Sequence, residues 1–264
     1  MIDYPVINPN IFTIGPFSVR WYSMMYIISF IIGFFYLKYL FKKRKVEITK
    51  NHYESLFYYI MLGVIIGGRL GYVLFYNLAY YISHPLEIFA VWHGGMSFHG
   101  GMVGVIILGY FFCRKHDYSF YKLADPTVAV APIGLFFGRL GNFINGELYG
   151  RVSSVPWAIV FPKTDGRPRH PSQLYELLLE GVLLFIILNI LLRRKLKEGF
   201  VFWSFILLYG VFRFVVEFFR APDAHLGYIF GFITAGQILS IFMVLIGMAG
   251  LILIYHPHKN ADTV

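Results

Sequence analysis

The chain has 264 residues, 58% of them hydrophobic, 20% aromatic and only 14% charged, with a mean hydropathy of +0.63. Soluble domains are about a quarter charged, so this composition excludes an ordinary water-soluble domain and points to a protein built for lipid. The net charge is +9, and where those charges fall matters more than their sum.

A helix crosses a bilayer with roughly 20 predominantly apolar residues. Seven runs meet that description, at 19–41, 54–76, 96–113, 123–144, 172–192, 200–220 and 236–255. Met1 to Gly15 lacks a basic region, so no signal peptide is expected and the first run is read as a span. The fourth run is the least clean, because Asp125, Pro126 and Pro132 interrupt its start. Basic breaks fall at Lys42-Lys43-Arg44-Lys45, at Arg114-Lys115 with Lys122, and at Arg193-Arg194-Lys195 with Lys197, whereas 77–95 has no Lys or Arg. Basic loops favour the cytoplasmic side. The N-terminus is therefore expected outside and the C-terminus, with Lys259, inside.

The fold expected is an all-α integral membrane protein with seven transmembrane helices, forming a single polytopic domain over 1–264. Its outer-side segments fall at about 77–95, 145–171 and 221–235. One loop runs against the charge rule: Arg151, Lys163, Arg167 and Arg169 all lie in 145–171, which points to an outward basic surface suited to anionic headgroups. The single cysteine, Cys113, excludes an internal disulfide. No repeat, low-complexity tract or second domain is evident, and 256–264 reads as a short solvated end.

Charged side chains within a bilayer cost about 2.5–3.5 kcal/mol at a helix centre and mark functional interiors. This topology gives each a depth. Tyr22 lies near the outer start of the first span, Arg69 in the outer half of the second, and His99 near the outer start of the third. Arg139 and Asn142 fall near the outer end of the fourth, with Glu147 just beyond. Glu176 opens the fifth, and Arg213 and Glu217 sit in the outer half of the sixth. Tyr209, Arg213 and Glu217 are spaced by four and share a helix face, as do Arg139 and Asn142 at a spacing of three. Six spans thus bring polar groups to a similar depth on one side, which reads as one site open to the outer leaflet. The alternative is pairwise neutralisation of buried charge, Arg213 with Glu217 and Arg139 with Glu147 or Glu176.

Two guanidiniums with carboxamide donors suit a phosphate, since the planar fork binds oxyanions bidentately. Gly138, Gly141, Gly146 and Gly150 permit close helix packing or close backbone approach to a ligand. "WHGGMSFHGG", 92–101, contains His-Gly-Gly twice. His99 opens a helix and is the better general base; His93 lies in the loop. Two histidines six apart without a nearby Cys or carboxylate are poor zinc ligands. There is no Walker loop, dinucleotide fingerprint or His-Glu-x-x-His, so no metal, cofactor or nucleic acid is expected.

"GRLGNFINGELYGR", 138–151, resembles the signature of the bacterial prolipoprotein diacylglyceryl transferases, with Gly138, Arg139, Gly141, Asn142, Phe143, Asn145, Glu147 and Gly150 all in agreement. "RWYSMMY" (20–26), "GGRLGYVLFYN" (67–77), "MSFHGGMVG" (96–104), "RHPSQLYE" (169–176) and "YGVFRFVVEFFRAPD" (209–223) extend the likeness from the first span to the sixth. The resemblance implies an enzyme of the bacterial inner membrane, multi-pass and facing the periplasmic leaflet. Such an enzyme moves the diacylglyceryl group of phosphatidylglycerol to the lipobox cysteine thiol of a prolipoprotein signal peptide. A thioether forms and glycerol phosphate is released.

By matching position, the resemblance implies a functional set of Tyr22, His99, Arg139, Asn142, Glu147, Gly150, Tyr209 and Arg213. Within it His99 would help deprotonate the thiol, and Arg139 and Arg213 would hold the phosphate. Asn142 and Tyr22 would orient headgroup oxygens, with Glu147 and Glu176 steadying the arginines and Glu217 beside Arg213. Cys113, at the cytoplasmic end of its span, is a poor candidate for a covalent intermediate, so direct transfer is expected. The rival reading is a transporter for an anionic solute, which would need polar groups continuing inward and a repeat; neither is evident.

Overall fold

A computed structural model describes residues 2–5, 7–15, 17–162, 164–222, 227–229 and 231–256. Lys163, Asp223, His258 and Lys259, which entered the sequence reading, lie outside the described residues, as does the side chain of His93. The long apolar runs are helices α1 (Trp21–Lys43), α2 (Lys50–Tyr76), α4 (Phe98–His116), α7 (Ser172–Leu192), α8 (Phe200–Glu217) and α9 (Ala235–Tyr255). The short α3 (Leu78–Ser83) precedes α4. The fourth run is two helices, α5 (Phe120–Val128) and α6 (Ala131–Asn145), which together form one span, Phe120–Asn145. The protein is thus a multi-pass, predominantly helical membrane protein.

Six of the described spans are long and apolar enough to cross a membrane. The run expected at 96–113 is indeed helical, as α4, but is not one of the six. It begins with Phe98-His99-Gly100-Gly101 and ends on Arg114, Lys115 and His116, which lowers its apolar character at both ends.

Short strands accompany the helices. β1 (Ile2–Asp3) pairs in parallel with β4 (Ile159–Val160), β2 (Asn10–Ile14) with β3 (Phe17–Arg20), and β5 (Tyr228–Ile229) with β6 (Ile233–Thr234). Helical periodicity carries no sign of them, because β1, β4, β5 and β6 are only two residues long and β1 finds its partner far along the chain.

The chain divides into two compact units, residues 1–39 with 125–264, and residues 40–124. In the first, Asp125 has a defined task. Its Oδ2 accepts from the Gly199 amide at 2.9 Å and its Oδ1 from the Phe202 amide at 2.8 Å, capping the start of α8 from another helix. The break between α5 and α6 leaves the Ala129 carbonyl to the Asn189 carboxamide at 3.3 Å, and Tyr36 donates to Asn189 Oδ1 at 2.7 Å. Such partners are required, because lipid offers no hydrogen bonds. At the other end of α6 the Tyr4 hydroxyl donates to the carbonyls of Phe143 and Ile144 at 2.7 and 2.8 Å, covering orphan acceptors. Burial raises the Tyr4 pKa above the usual tyrosine value, which keeps it a donor.

In the second unit, α2 and α4 meet backbone to backbone. Cβ atoms at Gly63, Gly67 and Gly71 would lie 2.7–2.8 Å from Val105, Gly104 and Gly100 Cα respectively, and Cβ atoms at Gly100 and Gly104 would be equally crowded. The spacing of four on each helix stacks these glycines on one face, the close-contact geometry of membrane helices. α2 widens into a π-helical stretch, Gly63–Gly67, along this seam.

Gly104→Ala is therefore expected to lower the thermal unfolding midpoint in detergent. Overpacking costs about 1–3 kcal/mol and outweighs the gain of about 1 kcal/mol from replacing a helical glycine. Among the described residues Gly109→Ala on the same helix meets only the Phe120 ring, at 3.9 Å, and should leave the midpoint unchanged or raise it. Equal midpoints for the two variants would contradict the backbone seam.

Candidate active site

Pro132 starts α6 and Gly146 stops it. With φ +64° Gly146 is the left-handed cap, and its amide donates back to the carbonyls of Asn142 and Phe143. Termination here leaves Arg139 and Asn142 in the last two turns and folds Glu147 back beneath them. Asn142 Nδ2 donates to Glu147 Oε1 at 2.9 Å, and Asn145 Nδ2 reaches the same oxygen at 3.4 Å.

The first turn of α7 then secures the loop: Gln173 Nε2 donates to the Glu147 carbonyl at 2.6 Å and Ser172 Oγ to that of Leu148 at 3.1 Å. Gly150 lies pinched between 169–170 and 219–220. Its amide donates to the His170 carbonyl at 2.8 Å, and a Cβ there would sit 2.7 Å from His170 Cβ. The dense polar stretch is thus a wedge that ties α6, α7 and the end of α8 together.

The four signature glycines now separate. Gly150 permits close backbone packing, Gly141 receives the Tyr22 ring with a hypothetical Cβ 2.9 Å from its Cδ2, and Gly146 turns the chain. Gly138 has nothing among the described residues within 4 Å of a Cβ position, so space stays open beside Arg139.

The charges form one network. Glu176 Oε2 lies 2.7 Å from both Arg139 Nη2 and Arg213 Nη1. Glu180, one turn further along α7, lies 3.9 Å from each guanidinium. Arg213 also bonds Glu217, which in turn accepts from Arg220 at 3.2 Å and from Thr234 Oγ1 at 2.9 Å. Glu176 and Glu180 are wholly buried, while 15% of the Arg139 side chain is exposed, making it the accessible arm. α7 is π-helical over Leu177–Leu183, and Gly181 packs on Phe136, with a Cβ position 2.9 Å from Phe136 Cβ. That approach brings two carboxylates to Arg139. π-helical turns of this kind recur at functional sites.

Both parts of the sequence reading meet here. The arginines are paired with carboxylates, Arg139 with Glu176 and not with Glu147, whose Oε1 accepts from Asn142 and Asn145 instead, and they also converge from separate helices, since one oxygen holds two guanidiniums. Tyr209 is buried one turn before Arg213 and stacks on Phe205 at 6.0 Å. Tyr22 shares a hydrogen bond with Tyr26 at 3.1 Å. Arg139 Nη1 reaches Asn142 Oδ1 at 3.3 Å. Glu180, Arg220, Gln173 and Thr234 were missed. Glu180 was readable as a carboxylate one turn from Glu176 in an apolar run, and Arg220 as a basic residue three beyond Glu217. Gln173 lies within the family-like stretch 169–176 but was given no role there, and nothing in the sequence marked Thr234.

Two expectations need correction. Arg69 was grouped with these residues, but it anchors the 87–95 segment of its own unit. It donates to the carbonyls of Glu87, Ile88, Gly94 and Gly95 at 2.5–3.2 Å and lies over the Tyr81 ring. The basic surface of 145–171 is also smaller than its charge count. Arg151 spends Nε and Nη2 on the carbonyls of Arg220 and Glu217. Arg167 and Arg169 pair with Asp165, whose carboxyl is held down to about 2 by the Arg167 hydrogen bond first and by Arg169.

His99 belongs to the second unit, half-buried in the first turn of α4, where Ser97 caps the helix by accepting from the Gly100 amide. Cys113 is buried in the last turn of α4. At 1.5 Å per residue it lies about 21 Å along the helix from His99. Among the described residues no group of three His, Cys, Asp or Glu is placed to hold a metal ion.

The model of the family described as "Prolipoprotein diacylglyceryl transferase" matches residues 9–253. Similar proteins carry the name phosphatidylglycerol–prolipoprotein diacylglyceryl transferase. That of Geobacter sulfurreducens is 52% identical over 253 residues, 96% of this chain and 97% of its own length. Those of Rickettsia canadensis and Legionella pneumophila are 48% and 47% identical, covering 92% and 94% of this chain and 95% and 97% of their own lengths. A family match over residues 9–253 and relatives 47–52% identical over nearly their whole length establish the kinship: the chain belongs to the prolipoprotein diacylglyceryl transferase family.

Proposed function

We propose that this chain transfers the diacylglyceryl group of phosphatidylglycerol to the lipobox cysteine of a prolipoprotein, the first step of lipoprotein maturation. The observation that carries the reading is the Glu176 bridge, which holds two guanidiniums from two helices side by side with Arg139 partly open. The phosphate of the lipid sits against Arg139 and Arg213. The thiol sulfur attacks the diacylglyceryl carbon bonded to the phosphate oxygen. A C–S bond forms, the C–O bond breaks with its electron pair going to phosphate, and glycerol phosphate leaves. The thiol proton goes to a base.

Only a few per cent of a thiol with a pKa of about 8.5 is thiolate at neutral pH, so assistance is needed, and His99 supplies it directly or through water. The arginines offset charge gathering on the leaving phosphate; a pre-set donor of this kind is worth about 10²–10³ in rate. Asn142 and Tyr22 orient headgroup oxygens. Glu147 and Glu176 hold Asn142 and the arginines, Glu217 fixes Arg213 from its other side, and Tyr209 and Gly150 shape the walls.

We propose seven spans in one polytopic domain, α4 being the third, with the N-terminus periplasmic and the C-terminus cytoplasmic. The segments 77–95, 145–171 and 221–235 then lie on the periplasmic side of the bacterial inner membrane. The basic breaks at 42–45, 114–122 and 193–197 support this orientation.

Purified protein given labelled phosphatidylglycerol and a lipobox peptide should release glycerol phosphate and lipidate the peptide. Arg139→Ala and Arg213→Ala should each lose about 10²–10³ in kcat/KM, and Cys113→Ala should match wild type. Normal turnover in either arginine variant would remove the phosphate grip, and a dead but folded Cys113→Ala would remove direct transfer. His99→Gln should lose about 10²–10⁴ in rate. It should also lose the acid limb of the pH–rate profile, since a base works only in its neutral form. An unchanged acid limb would assign the proton to another group.

A further inference from the structure

The cluster contains three arginines, Arg139, Arg213 and Arg220, and three glutamates, Glu176, Glu180 and Glu217, joined by direct ion pairs. Fully ionised, the six cancel. An anionic headgroup arriving on Arg139 and Arg213 breaks that balance in a region where uncompensated charge is costly. Either an arginine loses a carboxylate partner, or a carboxylate becomes neutral.

The three glutamates differ in what neutralisation would break. Glu217 accepts from Arg213, Arg220 and Thr234. Glu176 has one unbonded oxygen, but its Oε2 carries both guanidinium bonds. Glu180 is fully buried, and among the described residues neither of its oxygens has a hydrogen-bond partner; its arginines stand 3.9 Å away. It supplies charge without a hydrogen bond. Of the three, it alone accepts no hydrogen bond from the described residues, so a proton on it weakens none, whereas neutralising Glu176 would weaken both guanidinium bonds to its Oε2.

We propose that Glu180 is the charge-balancing residue of this site: it is ionised when the arginine pair is empty and takes up a proton when an anionic phospholipid headgroup binds. The proton comes from water, moves onto a Glu180 carboxylate oxygen and leaves again when the headgroup departs; no covalent bond of the lipid changes in this step. The groups facing Glu180 are Arg139 from α6, Arg213 and Tyr209 from α8, Glu176 on its own helix, and Arg220 just beyond α8. A lipid anion close to the arginines draws their charge away from Glu180 and adds a like charge beside it, and both changes favour the neutral carboxyl. By linkage, proton and lipid then bind with positive cooperativity. Glu180 is a positioning residue, acting through Arg139 and Arg213. This inference rests on those arginines gripping the lipid phosphate.

The test is lipid binding without any peptide acceptor, so that no thiol titrates. Wild-type protein in weakly buffered detergent, mixed with phosphatidylglycerol micelles, should take up about one proton per lipid bound at alkaline pH, read with a pH dye against phosphatidylcholine micelles. KM for phosphatidylglycerol should rise with pH, approaching about tenfold per unit over roughly pH 6 to 9. Glu180→Gln, the isostere of the protonated form, should take up no proton and show a flat KM, no higher than wild type at neutral pH.

Wild type without proton uptake, Glu180→Gln with wild-type uptake, or a folded Glu180→Gln that no longer binds lipid would each overturn the proposal. Should Glu180→Gln fail to fold, Glu180→Asp must displace the midpoint of the KM–pH curve; an unmoved midpoint overturns it equally. Arg139→Ala and Arg213→Ala separate this inference from the one beneath it. Undiminished lipid binding in both removes the phosphate grip itself, whereas loss of binding in both, beside a pH-independent wild-type KM, removes only the role of Glu180.

Discussion

One carboxylate oxygen holding two guanidiniums organises this protein. Arg139 lies in the last two turns of α6 and Arg213 within α8, and neither could stay buried alone, because a lone cation within a membrane protein interior costs several kcal/mol. Glu176 Oε2, 2.7 Å from both, removes that cost and sets their spacing. Everything near it serves the same geometry. The Gly146 cap ends α6 at the right residue, Gln173 and Ser172 seat the returning loop, and Gly181 lets α7 close on Phe136.

Arginine has two uses in this chain, told apart by acceptor. Arg69 and Arg151 donate to backbone carbonyls, Arg69 to a short helical turn at 87–88 and Arg151 to the end of α8 and Arg220 beyond it. A planar fork with five donors can satisfy several carbonyls at once, which in a lipid-embedded protein secures a bend as well as a helix would. Arg139 and Arg213 are held by carboxylates instead, and a carboxylate partner can be exchanged for another oxyanion such as phosphate. The acceptor decides whether a buried arginine is a fastener or a potential ligand site.

The polar cluster was partly legible in advance. Tyr209, Arg213 and Glu217 share a face by spacing, Glu176 was named as a partner for Arg139, and the stretch 138–151 announced itself by placing five polar side chains after an apolar run. Arg69 misled because charge in a span signals function only when its partners are unknown; its carbonyl partners come from a loop about twenty residues away. Glu180 passed unnoticed although the same rule applied to it. The seam of Gly63, Gly67 and Gly71 against Gly100 and Gly104 was visible as spacing, but spacing alone does not say which helix lies opposite.

Sequence by itself determined the membrane class, the helical runs and the polar residues that must find partners, because bilayer thickness and the cost of buried charge act on local composition. The family likeness, too, was readable from contiguous motifs. Only the tertiary structure decided which partner each charge has. It made Glu176 shared rather than private, left Glu180 close to two arginines with no hydrogen bond from the described residues, turned Arg69 and Arg151 to carbonyls, and divided four similar glycines among a cap, two contacts and an open flank. Those outcomes depend on ångström-scale distances between helices far apart in the chain, which no local pattern encodes.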